Sequence, residues 1–70
     1  MIKVRFIRVP YADPLPTLKK AYGRNVTVSD YQGYSIMELP IKSWSRKDKE
    51  NMRQMQDFGL IGDWIANPTE

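Results

Sequence analysis

Neither cysteine nor histidine occurs in the 70 residues, and for so short a chain this is the tightest constraint on folding. Domains below about 70–80 residues commonly lean on disulfides or a structural metal. Without Cys or His the chain has no disulfide and no zinc ligand set, so a hydrophobic core must hold it together alone. At this length folding removes roughly 60% of the surface the unfolded chain exposes, which allows one core and no second domain. Ile, Val, Leu and Phe number 16 of 70, just above the ~20% level below which charged chains usually stay unfolded. The same two absences remove the thiol nucleophile, the commonest general base and the commonest transition-metal ligand.

Net charge is +3, from 11 Lys and Arg against 8 Asp and Glu, but it is unevenly distributed. Residues 1–27 hold Lys3, Arg5, Arg8, Lys19, Lys20 and Arg24 against Asp13 alone, while residues 28–70 hold five basic and seven acidic groups. A basic N-terminal half points to an acidic partner. The first residues alternate charge with apolar side chains, unlike a secretory signal. No apolar run approaches the roughly 20 residues of a membrane-spanning helix. The expectation is a cytoplasmic protein with no membrane partner.

Residues 2–9 alternate apolar and basic side chains, as a half-buried strand does, with Ile2, Val4 and Phe6 on one face. Ile7 and Val9 have the opposite parity, which predicts a bulge near Phe6-Ile7 or cover on both sides. Asp13-Pro14 is a helix start, and Leu15, Leu18 and Tyr22 mark one stripe of a helix over 14–22 ended by Gly23. Residues 24–41 read as a β-hairpin around Asp30-Tyr31-Gln32-Gly33, a type I turn pattern. Phe6 and Tyr34 are expected in the core. Ser45 with Asp48 is an approximate capping box for a second helix, with Met52, Met55 and Phe58 as its apolar stripe. Leu60, Ile61, Trp64 and Ile65 then form one compact apolar turn. The expected fold is one α+β domain over residues 1–70 in β-α-β-β-α order. It has a three-stranded, mainly antiparallel sheet, helices on one face, and residues 66–70 as a frayed tail.

Motifs for chemistry are absent. Asp57 and Asp63 flank Gly59–Gly62, but nothing fixes them as an acid–base pair or supplies further metal ligands. The G-x-x-G spacing of Gly59 and Gly62 suits a phosphate clamp, yet Leu60 and Ile61 are apolar and Asp63 would repel the ligand. No Walker lysine follows any glycine. No catalytic residue, metal site or cofactor is therefore expected, and the protein is expected not to be an enzyme.

What remains is binding. Lys3, Arg5, Arg8, Lys19, Lys20 and Arg24 are the basic candidates of the N-terminal half. Trp44 is a candidate anchor, since tryptophan is enriched among binding hot spots. Arg46 and Lys47 open the second helix against its dipole, so they are either offset by Asp48 and Glu50 or kept for a ligand. Lys19 and Lys20 lie opposite the Leu15–Leu18–Tyr22 stripe and should be exposed. The expected function is a non-enzymatic protein-binding module that occupies an acidic surface of a larger protein, of the kind phages and mobile elements use as inhibitors. The alternatives are a small RNA- or DNA-binding regulator, with sheet aromatics among Arg and Lys, and an assembly subunit that multimerises through its sheet edge. The sequence leaves oligomeric state open.

Overall fold

The computed structural model describes residues 1–66. Strand β1 (Ile2–Arg8) follows its alternation: Ile2, Val4 and Phe6 are buried while Lys3, Arg5 and Ile7 are exposed. Helix α1 (Leu15–Tyr22) begins at Pro14, and Asp13 accepts a hydrogen bond from the Leu15 N–H at 3.1 Å, so the carboxylate holds one of the otherwise unpaired donors of the first turn. Leu18 is fully buried, and Leu15 and Tyr22 pack beside it. Gly23, at φ 96°, closes the helix in a conformation that side chains with a Cβ rarely adopt.

Strands β2 (Thr27–Tyr31) and β3 (Tyr34–Leu39) form the hairpin, with Tyr31 opposite Tyr34. The loop is therefore Gln32–Gly33, one residue beyond the expected centre, and Asp30 is a strand residue opposite Ser35. The Ser45–Asp48 capping box is complete in both directions and opens helix α2 (Arg46–Asp57). Met52 and Met55 are buried under it, but Phe58, expected in the apolar stripe, is the C-cap and 79% exposed.

The principal correction lies beyond Gly59. In place of a compact apolar turn there is a fourth strand, β4 (Ile61–Ala66), antiparallel to β1, so the sheet has four strands and not three. Phe6 faces Trp64 and Arg8 faces Ile61, leaving one extra residue on β4 at a bulge. That bulge brings Ile61 and Trp64, three residues apart, onto the same face. A strand thus carries a spacing that resembles a helical turn. Gly62 suits the spot because a Cβ there would stand 3.0 Å from the Ile7 Cβ. The expected tail, residues 66–70, lies outside the described residues except for Ala66, which pairs with Val4.

The strand order is β2-β3-β1-β4, antiparallel throughout, a split βαβ arrangement in which two β-α-β units interleave. One face of the sheet, built from Val4, Phe6, Met37 and Leu39, packs with Leu18, Met52 and Met55 of the helices. Each such side chain contributes roughly 1.5–3 kcal/mol by leaving water. Among the described residues the opposite face carries no helix. Tyr34, expected in the core, stands on that open face with Ile36 and Glu38, since its parity is opposite to that of Met37 and Leu39.

Candidate functional site

The two faces of the molecule differ in charge. Lys19 and Lys20 on α1 and Arg46, Lys47, Lys49 and Arg53 on α2 are opposed there by Asp48, Glu50 and Asp57. Six cations less three anions leave the two helices at +3. Helix α1 carries no acidic residue: its buried stripe holds Leu18, and both lysines are exposed. The open sheet face holds Lys3 and Arg5 against Glu38, while Asp63, at the β4 bulge, accepts a hydrogen bond from Gln56 Nε2 of α2 at 3.3 Å.

The nine candidate residues therefore do not form one surface. Lys19, Lys20, Arg46 and Lys47 lie on the helical layer, with Arg24 in the connection that follows α1. Lys3 and Arg5 lie on the opposite face. Arg8 is engaged within the fold: its guanidinium donates to Asp30 Oδ1 at 2.7 Å and to Asp13 Oδ1 at 3.3 Å. Ser35 Oγ also donates to Asp30 Oδ1, at 2.7 Å. These hydrogen bonds, Ser35 first and then Arg8, hold the Asp30 carboxyl below its ordinary range. Asp30 is also a charge on the helix side of an edge strand, a device that blunts edge-to-edge pairing.

Trp44 is half-buried against Trp64, ring centroids 6.1 Å apart, and the Trp64 indole N–H donates to Gln56 Oε1 at 3.0 Å. Both tryptophans thus brace α2 against β4. At the other side of α2, Tyr22 donates to Asp48 Oδ1 at 2.7 Å while Asp48 Oδ2 accepts from the Ser45 N–H and hydroxyl. Burial, aided by the neighbouring carboxylate, pushes the Tyr22 hydroxyl up to about 12. On Asp48, burial acts upward, but the hydrogen bonds from Tyr22 and Ser45 outweigh it and its pKa is lowered. Both groups tie the helices together, and Tyr22 also lines a small cavity of about 100 Å³ between them.

The open face has its own organisation. Tyr31 and Tyr34 stack with centroids 5.2 Å apart and 14° between planes, and the Arg5 guanidinium lies over the Tyr34 ring at 5.3 Å. Because β3 runs between β2 and β1, Tyr31 and Arg5 approach Tyr34 from opposite sides. Ile65 stands beside Arg5 on β4, so the ridge Tyr31–Tyr34–Arg5–Ile65 crosses all four strands. A shallow groove of about 320 Å³ runs along its Tyr34, Arg5 and Ile65, lined also by Ile7 and Gly33. Sequence reasoning names the tyrosines but not the ridge. The signal available was the parity of Tyr34 with Ile36, together with a two-residue Gln32–Gly33 loop.

Among the described residues no group of three acidic side chains converges as a metal site would require, and no helix is long and apolar enough to cross a membrane. No protein-family model, curated protein or solved structure matches the chain.

Proposed function

We propose that the protein is a non-enzymatic binding module that docks its helical layer on an acidic surface of a larger protein. The observation that carries this reading is the excess of cations on the two helices, with α1 wholly cationic in its charged residues. Charge of one sign on one face steers association and fixes orientation. A protein partner is favoured over nucleic acid for two reasons. Asp48, Glu50 and Asp57 interrupt the cations of α2, and a protein surface can set a cation opposite each of them where a phosphate backbone cannot. The aromatic pair offers no free stacking site at Tyr34, which is already flanked by Tyr31 and Arg5.

The test compares two double reversals of equal charge change. A partner captured from the source cell after nuclease treatment is titrated with K19E/K20E and with K3E/R5E. The helix variant should associate at least ~10-fold more slowly at low salt, with dissociation little changed, while the sheet variant stays near wild type. Equal slowing by both would reduce the effect to net charge and defeat the assignment to the helical layer. Loss of all binding on nuclease treatment would transfer the reading to nucleic acid, where the helix reversal should lower the salt slope by about two phosphate contacts.

A further inference from the structure

The open sheet face carries Ile7, Tyr31 and Ile65 at 46%, 52% and 59% exposure, with half-buried Tyr34 and Ile36 between them. Contiguous apolar surface of this kind marks an interaction site more often than a solvated wall. Lys3 and Glu38 offset each other on it and the Arg5 guanidinium is held over Tyr34, so it opposes a second copy of itself far less than the helical layer does. Lys3 and Glu38 stand opposite each other in the β1–β3 ladder, yet among the described residues they form no ion pair.

We infer that this face pairs with the same face of a second copy, about a two-fold axis running parallel to the strands between β1 and β3. Such an axis lays β1 of one copy over β3 of the other at equal height, because ladder partners share a level. Lys3 then meets Glu38 of the second copy, twice over by symmetry. The aliphatic stem of Arg5 meets Ile36, and Ile7, next in register after the Phe6–Ser35 pair, meets Tyr34. An axis perpendicular to the strands does the reverse, setting Lys3 on Ile7 and Glu38 on Tyr34. The parallel axis gives the aligned sheet-on-sheet packing of a β-sandwich, with strands crossing at about 30°. The helices lie on the far sides and do not obstruct it. Four strands about 4.8 Å apart and six residues of about 3.3 Å each span roughly 400 Å² in projection per copy. Two such faces fall in the size range of weak, transient interfaces, below about 1,200 Å² in total.

Sedimentation velocity on the full chain from about 10 µM to 1 mM, a span suited to weak interfaces, should show the 8.2 kDa species giving way to one of twice that mass. Glu38→Lys places lysines against lysines at both symmetric contacts and should weaken the dimer at least ~10-fold. The swap K3E/E38K should restore it. Since these residues are also neighbours within one chain, melting at dilute concentration separates intrachain effects from pairing. In the wild-type protein, concentration-dependent amide shifts should centre on Arg5, Tyr34 and Ile36, a readout that needs no variant to fold. A monomer throughout, a Glu38→Lys dimer as tight as wild type, or shifts centred on α1 and α2 would each overturn the proposal. The first outcome would leave the face to a different protein.

Discussion

Two oxygens of Asp48 accept three hydrogen bonds, from the Ser45 backbone, the Ser45 hydroxyl and Tyr22. One residue thereby starts α2 and ties it to α1. Ser45→Ala removes the cap and should cost about 1 kcal/mol, a fall in melting temperature of about 4–8 °C for a domain of this size. The titrations give this knot a pH signature. The carboxyl of Asp48 is lowered in the fold, so its contribution is present above the ordinary carboxylate pKa and is lost as pH falls through the folded value. The Tyr22 hydroxyl is raised to about 12, so its contribution is present below the ordinary value near 10 and is lost as pH rises from there towards 12. Melting temperature measured against pH should therefore be level between about 5.5 and 8.5 and fall at both ends, since no side chain in the chain titrates ordinarily in that window. Tyr22→Phe should flatten the alkaline fall. A transition centred near pH 7 would contradict this account.

At the level of elements, β4 separates what the sequence displays from what it conceals. Ile61 is 2% exposed and sits in the core, whereas Ile65 is 59% exposed on the open face. Ile61→Ala should cost about 2–5 kcal/mol by opening a cavity, while Ile65→Ala should stay within about 0.5 kcal/mol; urea denaturation of both distinguishes them. Ending the chain at Gly59 deletes an entire sheet strand and should abolish cooperative melting, because total stability at this size is of the order of 5 kcal/mol. Strand β1, helix α1, the hairpin and the Ser45–Asp48 cap were legible because each follows a clear period or a defined terminal chemistry, although the bulge expected in β1 near Phe6-Ile7 has its extra residue on β4. Strand β4 was not, since its bulge at Gly62–Asp63 replaces the two-residue period by a three-residue spacing from Ile61 to Trp64. Exposure of Lys19 and Lys20 was legible from the helical stripe. The engagement of Arg8 by Asp13 and Asp30 was not, because Asp30 reaches it only once the hairpin has folded beside β1.

Taken whole, the molecule measures 29 × 27 × 21 Å and divides its charge between two layers. Reversing Lys19 and Lys20 should leave stability within about 0.5 kcal/mol per site, because both are exposed and neither contributes to the core. Unchanged urea midpoints with a slower association would separate folding from steering in one variant. The layering also gives the molecule an electric dipole, positive towards the helices. Near an anionic surface such a body experiences a torque before it makes contact, and it turns its helices forward. The orientational search that ordinarily holds association far below the collision rate is thereby shortened. Added salt, by screening that field, should lengthen the search without disturbing a single contact of the docked state.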